Sequence, residues 1–244
     1  MPRGVITVHE FATLAAIGLD VFVTDRRGGV SAGPYGSLNL GRHVGDDDAC
    51  VTENRRRVAA AIDVAPTDLV FINQDHGIDI VDGDTALPGA HGDVIVISGT
   101  DRAGAIMTAD CVPLVLASPS AHRCVLIHSG WRGLRDAVIA HALQQFGNVA
   151  DVIGAVGPCI SGATYEVGAE VAAHFGSDAV VAGHDGDRYL LDIGQIAVSQ
   201  LIDCGVNPDR ITVCDERTDG GATFFSDRAQ RPCGRCALVA KWTA

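Results

Sequence analysis

The stretch CVLIHSGWRG, residues 124–133, changes character twice along its length. Its first four residues are an apolar run of strand length, which predicts a buried β-strand over Cys124–Ile127. The apolar residues that follow recur at helical spacing as far as Phe146, which predicts a helix over residues 130–146. His128 lies at the junction. Reactive side chains are often found in loops where secondary structure elements end, so this junction is a candidate functional position.

Other apolar runs of strand length occur in the chain, each bounded by Gly, Asp, Pro or Ser. Runs of this kind predict short strands. Together with Cys124–Ile127, the predicted strands are Val21–Val23, Leu69–Ile72, Val94–Ile97, Ala105–Met107, Pro113–Leu116 and Ile211–Val213.

Three further helices are predicted. One begins at Asp46–Asp48, where carboxylates suit the positive end of a helix, and runs to Ile62. Another covers Ile193–Cys204 and ends at Gly205, a residue that readily adopts the left-handed conformation of a helix terminus. A fourth begins near Tyr165–Glu166. Strands come first and are then mixed with helices without strict alternation, which favours an α+β fold with mixed sheets.

The composition excludes several classes of protein. The 244 residues are 47% hydrophobic and 20% charged, as in folded globular proteins, and they contain no internal repeat or low-complexity tract. We therefore predict a single domain over residues 1–244. The formal net charge is −12, from 18 basic and 30 acidic residues, which argues against a nucleic-acid partner because such proteins present basic surfaces to phosphate.

The sequence also bears on the compartment. No apolar run reaches the roughly 18 residues of a membrane helix, and residues 1–10 lack the pattern of a signal peptide. The eight cysteines are spread through apolar strings rather than set in a tight framework. A chain of this length needs no disulfides for stability. We expect a cytoplasmic protein with reduced thiols and no membrane contact.

Three segments place reactive side chains beside small residues at the ends of predicted strands: Asn73–Gly77, Ala109–Pro113 and Ile127–Gly133. They are too far apart in sequence for a finger-type metal site. Between them they nevertheless offer two histidines and one cysteine, a donor set that suits zinc, which accepts imidazole and thiolate together.

These candidate ligands are His76, Cys111 and His128. Three protein ligands would leave an open position, as in catalytic rather than structural zinc sites. Asp110 would then act as a partner of the metal site or as a proton shuttle. The same residues fit a nucleophilic dyad equally well, with Cys111 as the thiolate and His128 as the base.

Four blocks of sequence resemble, in order, the signature blocks of one family. They are Gln74–Gly77, Ala109–Pro113, His128–Gly133 and Gly157–Ile160, with shorter matches at Arg26–Ser31, Leu38–Gly41, Tyr165–Gly168, Phe224–Ser226 and Gly234–Arg235. The blocks are collinear and span nearly the whole chain. On these residues the chain resembles the YfiH/FAMIN laccase-domain family, which carries the older label of multicopper polyphenol oxidase.

The resemblance implies a β-sandwich core flanked by helices, shared distantly with bacterial Cys–His deamidating toxins. It implies a zinc enzyme that cleaves adenosine, inosine, guanosine and methylthioadenosine by phosphorolysis and also deaminates adenosine. Purine nucleosides and phosphate are then the expected partners. His76, Cys111 and His128 match the family's metal ligands, and Asp110 is the expected acid or base in deamination.

The chain departs from the family pattern at two places. Asp75 stands where the family commonly has valine, and we expect its carboxylate to face water. Ala163 and Thr164 stand where the family has a pair of cysteines, which removes a soft copper site at that position. With one convergent His/Cys/His set, zinc is expected rather than copper.

Phosphorolysis requires groups that hold phosphate, and arginine is the expected residue. The first candidate is Arg26, because nearby glycines allow an anion to approach the backbone. Arg132 lies at a predicted helix start, and Arg228 is a further candidate. Asn39 is a candidate for hydrogen bonding to the purine or ribose.

Three alternatives to the phosphorylase remain at this point. The first is a Cys–His hydrolase or an enzyme that edits cell-wall precursors, with Cys111 as nucleophile. The second is a copper-dependent polyphenol oxidase. The third is a protein that holds a metal without catalysing a reaction.

Overall fold

The computed structural model describes residues 2–183 and 186–243. The strands in this part of the chain are β1 (Pro2–Arg3), β2 (Ile6–Glu10), β3 (Leu19–Thr24), β4 (Leu69–Phe71), β5 (Ile80–Asp82), β6 (Val94–Ile97), β7 (Ala103–Thr108), β8 (Val112–Ser118), β9 (Arg123–Ser129), β10 (Ile153–Val156), β11 (Glu166–Gly168), β12 (Val180–Ala182), β13 (Arg188–Leu191), β14 (Ile211–Val213) and β15 (Cys236–Trp242). The α-helices are α1 (Ala12–Ala15), α2 (Asp48–Ala61), α3 (Trp131–Arg135), α4 (Val138–Leu143), α5 (Ala169–Ala172) and α6 (Ile193–Asp203).

Within the described residues, the strands form two six-stranded sheets and one three-stranded sheet. The first sheet has the order β1-β2-β3-β15-β7-β4, and the second has the order β14-β10-β8-β9-β6-β5. Most neighbours are antiparallel, whereas β4–β7, β10–β14 and β5–β6 are parallel pairs. The small sheet, β11-β13-β12, is antiparallel throughout. The mixed α+β fold predicted from the sequence is therefore confirmed.

The two large sheets pack face to face, and helices cover their outer faces. Ile95 and Leu126 of the second sheet pack against Ile106 and Leu238 of the first, within one buried cluster. Helix α2 covers the outer face of the first sheet. Helices α3, α4 and α6 and the small sheet cover the outer face of the second. Strands β7 and β8 are buried on both faces, which explains why their sequences are continuous apolar runs rather than alternating ones.

The topology brings the three predicted site loops to one end of the sandwich. Because β4 and β7 are parallel neighbours, the loops that follow them leave the first sheet at the same end. The loop after β7 leads directly into β8, and β8 pairs with β9 in an antiparallel register that places Pro113 opposite His128. The end of β9 therefore lies beside the start of β8.

All the strands predicted from apolar runs are present, within one or two residues of their predicted bounds. The helices predicted at Asp46–Asp48 and at Ile193–Cys204 are also confirmed, as α2 and α6. Asp47 caps α2 by accepting a hydrogen bond from the amide of Ala49, 2.8 Å away, and Gly205 follows α6 with a φ of +92°. Both helices carry their start or stop signals within their own sequence.

The predicted continuous helix over residues 130–146 is wrong. The chain forms α3 and α4 with a break at Ala137, whose φ is +61°. The carbonyl of Leu134 accepts hydrogen bonds from the Gln200 side chain on α6, at 2.8 Å, and from the amide of Ala137. A partner on another helix thus takes part of the hydrogen bonding that a continuous helix would satisfy internally.

The helix predicted to begin near Tyr165–Glu166 is also wrong at its start. Glu166–Gly168 is strand β11, paired with β13, and helix α5 begins only at Ala169. Pairing with β13 buries Val167 against the helical layer, which a helix at the same position would not do.

The cysteines and the helices bear on the expected compartment of the protein. All eight cysteines lie within the described residues and are free thiols. None of the described helices combines the length and apolar composition needed to cross a membrane.

Truncation of Leu126 tests the packing between the sheets. This fully buried side chain lies within 2.9 Å of the position that a Cβ on Gly104 would occupy, so the two sheets approach closely here. We expect Leu126→Ala to lower the free energy of unfolding by about 2–5 kcal/mol, since it leaves a cavity that the rigid sheets cannot close. Chemical denaturation measures the change.

Val181→Ala is the matched control, because Val181 is 62% exposed on β12. Its free energy of unfolding should stay within about 0.5 kcal/mol of the parent. Equal unfolding midpoints for the two variants would contradict the packing described here.

Candidate active site

Three side chains from separate loops converge at one end of the sandwich. They are His76 in the loop after β4, Cys111 immediately before β8, and His128 on β9. Their ligand atoms all lie within 4.8 Å of one another. The rings of the two histidines meet edge to face, with centroids 4.7 Å apart. The structure therefore brings together the three ligands predicted from the sequence.

The backbone adopts unusual conformations at two of these loops. His76 has a φ of +59°, and Asp110, next to Cys111, has a φ of +89°. Residues other than glycine rarely adopt positive φ, and such positions concentrate at functional sites. At both loops the chain turns sharply so that a reactive side chain lies at the common centre.

A buried carboxylate, Asp93, connects two of the three side chains. It lies immediately before β6 and is fully buried. One oxygen is 2.7 Å from Nδ1 of His128 and accepts a hydrogen bond from the amide of His76. The other oxygen accepts from the amides of Asp75 and Gly77, at 3.1 and 2.7 Å. Asp93 thus directs Nε2 of His128 away from itself and holds the loop that carries His76.

Sequence reasoning did not identify Asp93. The sequence shows only that an aspartate stands directly before an apolar strand, and its complete burial becomes visible in the fold. In a single sequence, however, it cannot be distinguished from an ordinary turn residue.

Gly130 leaves room at the centre of the site. A Cβ at this position would lie 2.7 Å from Nδ1 of His76 and 3.1 Å from Sγ of Cys111. A distance of 2.7 Å is shorter than real Cβ contacts, so any side chain would displace the histidine. The glycine in the sequence between His128 and the helix is therefore required by the close approach of three loops.

The charges of the site are coupled. Burial by itself would raise the pKa of Cys111 and lower that of His128, but their mutual attraction reverses both shifts. The pKa of the thiol is lowered and that of the imidazole is raised, the latter also by the hydrogen bond to Asp93. Burial opposes ionisation of Asp93, yet hydrogen bonds from His128 and from the loop amides hold its pKa below the ordinary value. The arrangement favours a thiolate, an imidazolium and a carboxylate in a row.

The three side chains line a cleft of about 580 Å³, a size typical of sites for small organic molecules. Trp131 and Tyr165 contribute aromatic walls. Burial and the nearby Cys111 raise the pKa of Tyr165 to about 12, so its hydroxyl remains a hydrogen-bond donor.

Four arginines also line the cleft. Arg231 and Arg235 both pair with Asp227. Arg132 and Arg228 pair with no carboxylate among the residues that the structure describes. The Arg132 guanidinium lies 4.4 Å from the Trp131 ring and that of Arg228 lies 5.0 Å from the Tyr165 ring. Two fixed positive charges therefore face the cleft without a counter-ion.

Asp110 lines the cleft, and each of its oxygens accepts one hydrogen bond. The Thr218 hydroxyl donates to one at 2.6 Å, and the amide of Arg228 donates to the other at 2.7 Å. Asp110 thereby ties the loop that bears Arg228 to the loop that bears Cys111. Each carboxylate oxygen keeps a second lone pair, so the proton-transfer role predicted for Asp110 is compatible with these hydrogen bonds.

Arg26 and Asn39 do not line the cleft. The Arg26 guanidinium donates to the carbonyls of Gly36 and Gly221. Asn39 is fully buried, and its side-chain oxygen accepts from the amide of Arg235 at 2.9 Å. Both side chains would have to leave these partners in order to contact a substrate in the cleft. Here they stabilise loops that adjoin it.

Asp75 is exposed, with one oxygen 2.8 Å from Nδ1 of the exposed His91. The expectation that its carboxylate faces water is confirmed. Only its backbone amide takes part in the hydrogen bonds of the site, through Asp93.

Proteins with similar sequences carry one shared description. The chain is 38% identical over 232 residues to a purine nucleoside phosphorylase of Mycobacterium tuberculosis, covering 88% of this chain and 89% of the relative. It is 36% identical over 231 residues to the purine nucleoside phosphorylase YfiH of Escherichia coli, covering 90% of this chain and 92% of the relative.

Solved structures show the same fold. The crystal structure of YlmD from Geobacillus stearothermophilus matches with a TM-score of 0.88 at 29% identity, covering 96% of this chain and 94% of that one. A Neisseria meningitidis protein matches with a TM-score of 0.89 at 29% identity, covering 99% of this chain and all of the other. A family model described as multi-copper polyphenol oxidoreductase laccase matches residues 20–243. The chain belongs to this laccase-domain family, whose curated relatives are named purine nucleoside phosphorylases.

Proposed function

We propose that this protein is a zinc-dependent purine nucleoside phosphorylase of the cytoplasm. Its substrates would be adenosine, inosine, guanosine and methylthioadenosine. The names of the relatives support the reaction class, and the eight free thiols support a reducing compartment. The observation that carries the proposal is the convergence of His76, Cys111 and His128 at the wall of a cleft that can hold a nucleoside.

The residues at the centre of the site fit zinc. Two imidazoles and a thiolate suit its borderline softness, and three ligands leave one position open. In metal sites, the ring nitrogen of a ligating histidine that does not bind the metal is typically hydrogen-bonded to a carboxylate. Nδ1 of His128 is hydrogen-bonded to Asp93 in this way. The space that Gly130 leaves beside His76 and Cys111 supports the same reading. Zinc bound here would supply Lewis acidity towards an oxygen or nitrogen of the substrate.

The arginines of the cleft are the groups that would bind phosphate. The guanidinium groups of Arg132 and Arg228 lie over aromatic rings and lack carboxylate partners among the described residues. Each can therefore donate to a phosphate oxygen without first breaking an ion pair. In the reaction, a phosphate oxygen bonds to C1′ of the ribose, the bond from C1′ to the purine nitrogen breaks, and the purine takes up a proton. Tyr165, which stays protonated, would donate a hydrogen bond to the phosphate or the purine.

We propose adenosine deamination as a second activity of the same cleft. In this reaction water replaces the amino group at C6 of the purine, and ammonia leaves. Asp110 is the carboxylate next to Cys111 and would transfer the proton through a lone pair that its hydrogen bonds to Thr218 and the Arg228 amide leave free.

A Cys–His hydrolase is the second candidate, and one observation favours it. Asp93, His128 and Cys111 form a series of orienting acid, base and thiol, and the pKa of the thiol is lowered. An enzyme that edits cell-wall precursors would belong to this class. Activity that persists after removal of zinc and disappears on alkylation of Cys111 would identify it.

A product assay tests the proposed function. Protein purified without a metal-binding tag is first analysed for zinc and copper, and is then given each nucleoside with and without phosphate. Chromatography should show free purine base only when phosphate is present, together with ribose 1-phosphate, or 5-methylthioribose 1-phosphate when methylthioadenosine is the substrate. Inosine should form from adenosine in either case. Absence of free base from all four nucleosides would overturn the phosphorylase proposal. Stoichiometric copper with oxidation of a phenol would indicate a polyphenol oxidase instead.

Removal of the thiol should abolish both metal binding and turnover. We expect Cys111→Ala to lose zinc on dialysis and to lower the rate of phosphorolysis at least about 100-fold, since the metal loses one of three ligands. Elemental analysis and the product assay measure the two effects. Cys204→Ala, at the end of α6 and away from the cleft, is the control and should retain both zinc and activity. Full zinc content in the Cys111 variant would contradict the ligand assignment.

Removal of the charge on Asp93 should weaken the metal site without removing a ligand. We expect Asp93→Asn to bind zinc about 10–100-fold more weakly. The asparagine side chain is uncharged, and its NH₂ group is a donor that would face the backbone N–H donors of residues 75–77. Competition with a chromogenic chelator measures the affinity. Asp75→Asn makes the same replacement at an exposed aspartate in the loop that carries His76, and it should bind zinc as the parent does. Equal affinities for the two variants would show that Asp93 has no influence on the metal.

A further inference from the structure

A second cavity of about 420 Å³ adjoins the cleft, and we call it the side pocket. It shares His43, Asn73 and Met107 with the cleft, so the two cavities adjoin at these residues. It does not include the three candidate metal ligands. The proposed phosphorolysis therefore leaves this cavity without a role.

The lining of the side pocket is strongly biased towards positive charge. Arg42, Arg55 and Arg102 line it, and no aspartate or glutamate does among the described residues. The chain as a whole carries 30 acidic and only 18 basic residues. A cavity lined by three arginines and no acid is opposite in sign to the rest of the molecule.

Arg55 is held in this pocket without a carboxylate partner. Its Nε and one terminal nitrogen donate to the carbonyl of Leu40, at 2.9 and 2.8 Å, and its guanidinium lies 3.8 Å from the centre of the Phe71 ring. Burial, and then the nearby charge of Arg42, lower its pKa to about 10. The positive charge of Arg55 is thus costly in the free protein, and a bound anion would relieve that cost.

Arg102 is fixed in the same way. Its guanidinium donates to the carbonyls of Gly83 and Ala86, at 2.8 and 3.0 Å, and pairs with no carboxylate among the described residues. Arg42 has one ion pair, with Asp48 at the exposed start of α2. Two of the three guanidinium groups are therefore positioned by backbone carbonyls, which accept hydrogen bonds but do not neutralise charge.

We propose that the side pocket binds a phosphate group. Guanidinium groups match the geometry of phosphate oxygens and hold their charge at any physiological pH. The phosphate is either a free ion or part of a ligand whose other end enters the cleft past His43, Asn73 and Met107. Leu87, which is 78% exposed at the pocket, offers apolar surface to the remainder of such a ligand. This site is separate from the phosphate that attacks C1′ in the proposed reaction.

Calorimetric titration of the zinc-loaded protein tests this proposal with three probes: inorganic phosphate, adenosine 5′-monophosphate and adenosine. We expect Arg102→Gln and Arg42→Gln each to weaken phosphate or monophosphate binding about tenfold, because each removes one charged donor. Adenosine binding should be unchanged. A loss seen with inorganic phosphate identifies a free anion as the ligand, whereas a loss confined to adenosine 5′-monophosphate identifies a phosphorylated ligand.

Arg56→Gln is the matched control. It removes the same charge from α2 one position after Arg55, and its side chain is exposed and bonded only to Glu53. Arg102→Lys, which restores the charge, should recover part of the affinity. Thermal unfolding without ligand separates loss of binding from loss of folding.

Two results would overturn the proposal. The first is that Arg102→Gln and Arg42→Gln both bind the two phosphate-containing probes with the same affinity as Arg56→Gln. The other is loss of phosphate binding in Cys111→Ala, which would place the anion at the metal instead. The measurement is of binding rather than turnover, so an inactive protein that binds phosphate through Arg102 would refute the proposed function and leave this site intact.

Discussion

The site depends on the hydrogen bonds that the buried carboxylate of Asp93 accepts. A charge enclosed by the sandwich is tolerated only when donors surround it, and Asp93 accepts from the His128 ring and from three successive amides of the loop at residues 75–77. The same group therefore fixes the orientation of one histidine and the position of the other. If this carboxylate were neutral or displaced, the His128 ring and the loop that carries His76 would lose the hydrogen-bond partner that they share.

The rest of the site follows from strand pairing. Parallel pairing of β4 and β7 sends two loops to one end of the first sheet, and antiparallel pairing of β8 and β9 sets Cys111 beside His128 in the second. The site lies at the end of the sandwich where these loops and strand ends from the two sheets meet. Strands β7 and β8, which lead to it, are buried on both faces and hence rigid. The cleft holds the candidate reactive groups, and the side pocket, which we propose binds phosphate, concentrates positive charge in an acidic protein.

The sequence alone predicted the parts of the structure whose signals are local. The candidate metal ligands His76, Cys111 and His128 each follow an apolar run, and α2 and α6 carry their own start or stop signals. Asp93 was missed because its role arises from the pairing of β6 with β9, which brings it to a histidine 35 residues away. The break near Ala137 was missed for the same reason, since it involves Gln200 on another helix. Arg26 was predicted to bind phosphate because of the glycines near it, and Asn39 to hydrogen-bond the nucleoside, whereas in the fold both side chains make hydrogen bonds with neighbouring loops.

Strand β15 gives the fold a particular order of assembly. It is the last of the described strands in sequence order, yet it lies in the middle of the first sheet, between β3 and β7, and pairs with both along most of its length. During synthesis, these two strands emerge from the ribosome long before their shared neighbour exists. Until residues 236–242 are synthesised, the edges of β3 and β7 that β15 covers lack this partner, so the first sheet closes only after these residues have been made.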